Sequence, residues 1–180
     1  MERIFRKTFR RNGKDYKIQL GFDDAAIMEN AARFELKAGI KDINQSDWKE
    51  TTIQVDVLFD RKVIELTHEG RTIGTIPLDF PVSDTPDAAD EDIDIDAEST
   101  AIEELIGSIP TDPFLGCIIK GAASTAVGQI IRCWRRHHQS GGTYRELAGR
   151  IAGCLRDYAG RMLLRFMWRA GRCAVTGGLS

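Results

Sequence analysis

Cysteine and histidine are the residue types in this sequence whose chemistry is most specific, since they can bind zinc or act as nucleophiles. Cys133 and His137 are four residues apart, which places both on one face of a helix, and Cys154 and Cys173 would complete a four-ligand set. The paired CxxC spacing of structural zinc sites is absent from the sequence. We therefore predict no metal site, and we expect all four cysteines to be reduced thiols.

One acidic stretch matches a calcium-binding loop in part. Asp92, Asp94, Asp96 and Glu103 fall at positions 1, 3, 5 and 12 of such a loop, but the glycine required at position 6 is missing. We attribute this match to chance in an acidic segment. The sequence contains no phosphate-binding glycine loop, dinucleotide fingerprint or nucleophile elbow. It therefore predicts a protein that is not an enzyme, with no catalytic residues, no cofactor and no evident small-molecule substrate.

Arginine is the most conspicuous residue near the end of the chain, with six copies between residues 148 and 172. Arginine binds phosphate groups in a bidentate manner, and Trp134 and Trp168 are available for stacking on bases. The alternative is that these arginines form the solvated face of packed helices or pair with the chain's own aspartates. If the basic segment binds an anion or a nucleic acid, the candidate residues are Arg135, Arg136, Arg150, Arg161 and Arg165.

Small residues recur on one side of each of the two long helices that we predict near the end of the chain. Glycine in a water-exposed helix costs about 1 kcal/mol relative to alanine, so such a face indicates that another helix backbone approaches closely. The candidate packing positions are Cys117, Gly121, Ser124 and Gly128 in the first helix, and Gly149, Gly153 and Gly160 in the second. This pattern predicts self-association or docking into a larger helical assembly.

Charge divides the 180-residue chain into three blocks, although the formal net charge is only −2. Residues 1–50, 51–112 and 113–180 carry net charges of +2, −13 and +9. An acidic block beside a basic block indicates attraction within the chain or two different partners. The first 17 residues contain no apolar run of the length of a secretory signal, so we expect a cytoplasmic protein.

The first part of the chain alternates apolar and polar residues as β-strands do. We predict strands over 4–9, 16–22, 52–59, 63–68 and 72–78, with His68 at a strand end on the surface. Asn12-Gly13 predicts a hairpin turn between the first two strands. Ile27, Ala31, Phe34 and Ala38 recur at helical spacing, which predicts a helix over about 25–38 with Gly39 as its stop. The resulting order, ββαβββ, predicts a small α+β domain with a mainly antiparallel sheet over residues 1–81.

The rest of the chain is predicted to be a linker followed by helices. Residues 82–99 are rich in aspartate and alanine, which is typical of a flexible linker. Thr100 and Glu103 fit a capping box that opens a short helix within 100–112. Asp112 with Pro113, and later Thr143 with Glu146, predict the starts of two long helices over about 114–137 and 144–170. Together these helices form a basic helical hairpin within 113–180.

These observations predict an interaction or assembly subunit that acts through its helical hairpin. A protein partner or a second copy of the chain is the expected partner. Two alternatives remain open at this level. One is an accessory protein that binds nucleic acid through the arginines. The other is a membrane-associating or pore-forming helical hairpin, for which residues 114–131 have about the minimum length.

Overall fold

The computed structural model describes residues 3–83 and 92–175. In this part of the chain, six strands form one antiparallel sheet in which every strand lies beside its sequence neighbours. Four α-helices follow the sheet. The strands are β1 Arg3–Arg11, β2 Lys14–Ile27, β3 Ala31–Asp42, β4 Lys49–Leu58, β5 Val63–His68 and β6 Arg71–Pro77, and the helices are α1 Asp92–Glu103, α2 Pro113–His137, α3 Tyr144–Asp157 and α4 Ala159–Val175.

The α+β class, with an N-terminal antiparallel sheet and C-terminal helices, is confirmed. The helix over 25–38 is wrong, because β2 extends to Ile27 and β3 pairs with it from Ala32 onward. Alanine, leucine, glutamate and lysine favour helices. This composition favoured a helix prediction although apolar and polar residues alternate along the segment. Phe34 and Leu36 are buried while Arg33, Glu35 and Lys37 point away from the core, as the pleat of a strand requires.

Tight turns join the outer strands of the sheet. Asn12 and Gly13 connect β1 to β2, and both have positive φ angles, of 53° and 78°. Glu69 and Gly70 connect β5 to β6 in the same way, with φ angles of 48° and 79°. Two consecutive residues in the left-handed region match the right-handed twist of the flanking strands. The Asn-Gly hairpin predicted from the sequence is therefore confirmed.

Helix α1 occupies the second half of the segment that the sequence predicts to be a linker. It spans Asp92–Glu103 and packs against α2. The first half, residues 84–91, lies outside the described residues. The capping box at Thr100 and Glu103 is wrong, because both residues lie at the end of α1 rather than at its start. The domain boundaries themselves stay a prediction.

Helix α2 begins where the sequence predicts it. The Asp112 carboxylate accepts hydrogen bonds from the backbone amides of Phe114 (2.9 Å) and Leu115 (3.2 Å), and Pro113 occupies the first turn. These contacts satisfy amides that have no partner within the helix. Proline costs nothing there, since its missing N–H would be unpaired in any case. The signal is local, which is why the sequence located this helix start correctly.

The second long helix is broken into two. Helix α3 ends at Asp157, and Tyr158, with φ −100° and ψ 5°, separates it from α4. Helix α3 begins where the sequence predicts it, because the Thr143 hydroxyl accepts a hydrogen bond from the Glu146 amide. The prediction of a single helix over 144–170 is wrong. No proline or strong composition change marks the break in the sequence.

The helices cover one face of the sheet, and α2 lies at the centre of the molecule. It packs against β3, β4, α1, α3 and α4, while α4 also packs against β1. The buried apolar residues of the sheet and of the helices form one continuous cluster. The cluster includes Phe34 and Ile53 from the sheet and Ile119 and Phe166 from the helices. The sheet thus hides much of the apolar surface of α2.

Candidate interaction surface

Helix α4 is strongly two-sided. One side, consisting of Met162, Phe166, Ala170, Cys173 and Ala174, is buried against the rest of the chain. Because these residues recur at intervals of three, four or one, they follow one face of the helix. The opposite side lies in solvent and is not wholly polar. An amphipathic helix of a soluble domain normally presents charged and polar residues there.

The solvent side of α4 carries large apolar residues between arginines. Leu164 is 60% exposed, Trp168 is 50% exposed and Val175 is 88% exposed. Arg161 and Arg172 are exposed on the same line of the helix, since successive members are three or four residues apart. We call Arg161, Leu164, Trp168, Arg172 and Val175 the α4 face. Exposed apolar residues grouped in this way mark an interaction site more often than isolated ones do.

Cation–π contacts hold the arginines of the α4 face close to aromatic rings. The guanidinium carbon of Arg172 lies 5.3 Å from the centre of the Trp168 ring, and that of Arg161 lies 5.7 Å from the Tyr158 ring. Arg136 contacts the same Tyr158 ring from 5.5 Å. These contacts cover part of each ring with a guanidinium group. The α4 face therefore combines fixed positive charge with apolar area.

Two other elements border the α4 face. On one side, α4 packs against the edge strand β1, where a Cβ atom added to Gly171 would lie 3.4 Å from the Phe9 ring. Lys7, two residues before Phe9 and therefore on the same side of the strand, is exposed. On the other side, Arg169 forms an ion pair with Glu103 of α1. Lys7 thus adds a positive charge beside the face.

The five arginines proposed from the sequence do not form one site. Arg135 donates hydrogen bonds to the carbonyl oxygens of Val82 (2.7 Å) and Phe80 (3.1 Å), so it holds the segment after β6. Arg150 donates to the carbonyl oxygen of Gly141 at 2.8 Å. The other three lie around α4 or Tyr158: Arg136, Arg161 and Arg165. Structural contacts within the chain account for Arg135 and Arg150.

The small residues of α2 pack inside the chain. A Cβ atom on Gly121 would lie 3.2 Å from Cβ of Arg169, and one on Gly128 would lie 3.4 Å from Arg132. Ser124 is 1% exposed, and the Cys117 sulfur is bonded to Cys173. The chain's own helices therefore occupy the surface that these four positions form. The glycines of the second pair of helices differ, since an added Cβ would meet nothing within 4 Å at Gly149, Gly153 or Gly160.

Two arginines of the basic block bind the acidic block. Arg132 of α2 pairs with Glu98 of α1, and these side chains are 9% and 14% exposed. Arg169 of α4 pairs with Glu103, and these side chains are 11% and 15% exposed. Both glutamates belong to α1, so charge attraction helps to dock this helix on α2 and α4. This is the attraction within the chain that the charge blocks indicate, and in the described ion pairs of α1 two glutamates provide it.

All four cysteines are in disulfide bonds, which contradicts the expectation of reduced thiols. Cys117 near the start of α2 bonds to Cys173 in α4, and Cys133 near the end of α2 bonds to Cys154 in α3. The Cα atoms of each pair are 5.9 Å apart. Bonded sulfur atoms are not thiolates and so cannot join His137 in a zinc site. No group of three candidate metal ligands occurs among the described residues.

The three histidines lie at the end of β5 and at or just after the end of α2, not on α4. Burial, followed by the positive charges of Arg136 and Arg150, lowers the pKa of His137 below its usual value. The prediction of a surface His68 is wrong, since it is 3% exposed and its Nε2 lies 2.9 Å from the Thr51 hydroxyl. This contact satisfies two polar groups under the helices. A buried polar pair of this kind belongs to the core.

Among the described residues, cavities border the helices and the end of the sheet. A small one of about 20 Å³ lies between α1, α2 and α4, beside Gln129, Ser124 and Arg165. A larger one, of about 390 Å³, is lined by Lys120, Arg172 and the Cys117–Cys173 disulfide, among others. A third, of about 220 Å³, lies near Asp112 and Lys49. In none of them do the described side chains form a nucleophile with an adjacent base.

Within the described residues, one helical segment has the length and composition of a membrane span. It covers Pro113–Ser140, and the most apolar 18-residue window has a mean hydropathy of 1.5. However, 89% of that window is buried inside the protein. A helix that is apolar almost all round is expected at the centre of a folded core. Burial by the sheet and the other helices explains the composition of α2.

Sequence reasoning missed the apolar part of the α4 face. Leu164 and Val175 fall outside the main apolar line of the second helix, which includes Met162 and Phe166. The available signal was their spacing to Trp168, four residues after Leu164 and seven before Val175. Lys7 could not be assigned to this surface from the sequence, because only the packing of α4 on β1 brings it close. No family model, curated protein or solved structure matches this chain.

Proposed function

We propose that this protein is a non-enzymatic docking subunit that binds a larger partner through the exposed side of its C-terminal helical hairpin. The hairpin consists of α2 and the returning pair α3 and α4. The observation that carries the proposal is the α4 face, where Leu164 (60% exposed) and Trp168 (50% exposed) lie between two arginines. Leaving such side chains in water forgoes the stabilisation that their burial in an interface would provide.

The disulfides support a preformed docking element. The buried side of α4 is fixed by Phe166 in the core and by the Cys117–Cys173 bond to α2. A partner would therefore meet a helix that is already ordered, which lowers the entropic cost of binding. The proposal departs from the sequence interpretation in one respect. The docking surface is the α4 face rather than the small residues of α2, because Gly121 and Gly128 pack within the chain.

The experiment compares two double variants in native extract and after purification. We expect the wild-type chain to elute from size exclusion in a larger species, and Leu164→Ser/Trp168→Ser to shift it towards the monomer. The matched control is Ile43→Ser/Leu105→Ser, which changes two apolar residues that are 42% and 41% exposed elsewhere on the molecule. Light scattering on the purified protein tests whether the partner is a second copy.

The proposal fails if the wild-type chain is monomeric in extract and binds neither itself, membranes nor nucleic acid. It also fails if the control variant disrupts the larger species as much as the α4 variant does. In that case loss of solubility or stability, rather than loss of a specific surface, would explain the result. Thermal unfolding of both variants distinguishes these explanations.

A further inference from the structure

We infer that the open face of the sheet, which is the face turned away from the helices, binds single-stranded nucleic acid. This inference goes beyond the proposed function, because the site is separate from the α4 face and uses none of its residues. Three features of the structure carry it: two lysines opposite each other on neighbouring strands, the charges around them, and an adjacent tryptophan ring.

Alternation along β2 and β3 directs two lysines to the open face. Ile18 and Ile40 are buried on the helix side of the sheet. Lys17 and Lys41 are one residue away on the same strands, so they point to the other face. We call them the lysine pair, because the strand register places them directly opposite each other. Like charges in such positions destabilise a sheet, whereas an anion bound over them would be attracted by both.

A carboxylate pair on the same face shows how this chain compensates such repulsion. Asp56 and Glu65 are opposite each other on β4 and β5. A nitrogen of Arg33 lies 2.8 Å from an Asp56 carboxylate oxygen, and a nitrogen of Arg61 lies 3.6 Å from a Glu65 oxygen. Within the described part of the chain, no carboxylate forms an ion pair with either member of the lysine pair. The chain therefore supplies counterions to the acidic pair but not to the basic one.

Further basic side chains extend the positive surface around the lysine pair. Arg6 of β1 lies opposite Gln19, and its Nε donates to the Gln19 side-chain oxygen at 3.1 Å. Lys37 is exposed on the same face of β3. The acidic residues that border this surface are Asp15, Glu35 and Glu50. Arg10 and Arg33 interact with the first two of these acids, so positive charge remains in excess.

Trp48 provides an aromatic ring beside the lysine pair. The ring lies against Gly39 on the open face, where an added Cβ atom would be 3.2 Å from a ring carbon. The ammonium nitrogen of Lys41 lies 5.8 Å from the centre of the ring. Proteins that bind single strands without sequence preference combine a basic surface that follows the phosphates with aromatic rings on which bases stack. The open face brings both together.

The geometry of the open face favours a single strand over a duplex or a bilayer. A duplex presents only base edges, in its grooves, which a ring lying against a flat sheet cannot stack on. Insertion into a bilayer uses aliphatic side chains together with aromatic ones, and the set formed by Arg6, Lys17, Lys37, Lys41 and Trp48 includes no aliphatic side chain. A single strand offers phosphates and unstacked bases to the same surface.

The test is fluorescence anisotropy of the full-length protein with labelled oligothymidylate and oligouridylate of about 12 nucleotides. We expect the affinity to fall with salt with a log–log slope of about −3, because the four basic residues contribute roughly 0.7 each. Lys17→Gln/Lys41→Gln should weaken binding and halve this slope. The matched control is Lys62→Gln/Arg71→Gln, which removes two exposed positive charges at other strand turns and should change neither quantity.

Two further variants separate binding from stability. Lys17→Glu places a carboxylate opposite Lys41, so it should raise the thermal unfolding midpoint while removing most of the binding. Trp48→Leu should weaken binding at least about five-fold without changing the salt slope, since it removes one stacking ring. Trp48→Phe keeps an aromatic ring and should restore much of the affinity.

The inference is overturned if the wild-type protein does not bind either oligonucleotide at low salt, or if the lysine-pair variant keeps the affinity and slope of the wild type. Preference for a duplex or for anionic vesicles over single strands also overturns it. Leu164→Ser/Trp168→Ser on the α4 face should leave oligonucleotide binding unchanged. If that variant removes binding instead, the open-face inference fails and the docking function stands. If oligonucleotides bind but no larger species forms in extract, the docking function fails alone.

Discussion

Asp112 shows how one side chain fixes the start of the central helix. Burial of the Asp112 carboxyl raises its pKa, but hydrogen bonds from the Leu115 amide, from Lys49 and from the Phe114 amide together outweigh burial and lower it. The pKa of Asp112 in the folded protein is therefore below its usual value. A carboxyl whose pKa is lower in the folded state stabilises the fold above its unfolded pKa of about 3.9. That contribution is lost as the pH falls through the folded pKa.

We therefore expect Asp112→Ala to lower the free energy of unfolding by about 1 kcal/mol at neutral pH, as the loss of a helix cap does. Denaturant unfolding measures the change. The effect of the substitution on the free energy of unfolding should shrink as the pH is lowered below 4, since the protonated wild-type carboxyl is a poorer acceptor. Asp47→Ala changes an exposed acid in the loop before β4 and serves as the control. An equal effect of both substitutions at all pH values would contradict the capping role.

The ion pairs of α1 attach this helix, which belongs to the acidic block, to two helices of the basic block. Arg132 contacts Glu98 and also donates to the carbonyl oxygen of Ser83 at 2.8 Å. Arg132 thus contacts both the segment that follows β6 and helix α1. The local sequence around Arg132 gives no sign of this role.

We expect Arg132→Met to lower the free energy of unfolding by about 3 kcal/mol, because it leaves the Glu98 carboxylate mostly buried without its cation. The double variant Glu98→Gln/Arg132→Met should recover much of this loss, since no buried charge remains. Denaturant unfolding of the two single variants and the double variant completes the cycle. Additive effects would show that the two side chains are not coupled.

The disulfides join α2 to both helices that follow it. The Cys117–Cys173 bond closes a loop of 56 residues, and the Cys133–Cys154 bond closes one of 21. The chain-entropy model assigns about 4 kcal/mol to the longer loop and about 3 kcal/mol to the shorter one. The longer loop constrains the unfolded chain more strongly.

We expect Cys117→Ser/Cys173→Ser to lower the free energy of unfolding by about 0.9 kcal/mol more than Cys133→Ser/Cys154→Ser does. Oxidised and reduced samples, compared by denaturant unfolding, provide the measurement. A reductant that leaves the wild-type midpoint unchanged would show that the bonds do not stabilise the fold.

Disulfides persist mainly in oxidising compartments, so they weigh against the cytoplasmic location, which itself stays a prediction. Alkylation of free thiols in intact cells tests it.

The whole molecule has a shared core rather than one core for each half of the chain. Val55 of the sheet and Ile118 of α2 belong to the same buried cluster, and α2 contacts β3 and β4 directly. Removing the helices would expose the apolar face of the sheet. Removing the sheet would expose most of α2. Neither half can bury its apolar surface alone.

We therefore expect denaturant unfolding to be a single cooperative transition. Far-ultraviolet circular dichroism mainly reports the helices, whereas the fluorescence of Trp48, which lies beside Gly39 of β3, also reports the sheet. The two midpoints should coincide. Separate transitions would instead support the division into an N-terminal domain over 1–81 and a hairpin over 113–180.

Features that depend on residues adjacent in the chain were predictable from the amino-acid sequence. Asn12-Gly13 specified a hairpin because both residues accept positive φ, and Asp112-Pro113 specified a helix start because capping involves only the next three residues. The antiparallel class followed from alternating residues and short turns. Residues 25–38 misled the prediction, because helix-favouring composition and strand alternation conflict there. Pairing of β3 with strands on both sides decided the outcome.

Tertiary packing determines which helix surfaces are buried within the chain and which stay exposed. Small residues predict a close approach between helices, but they do not state whether the approaching helix belongs to the same chain. Here Arg169 of the chain's own α4 covers Gly121. The α4 face arises in the opposite way, because Leu164 stays 60% exposed and Trp168 stays 50% exposed in the folded chain. Burial is set by contacts distant in sequence, so local patterns could propose this surface but could not locate it.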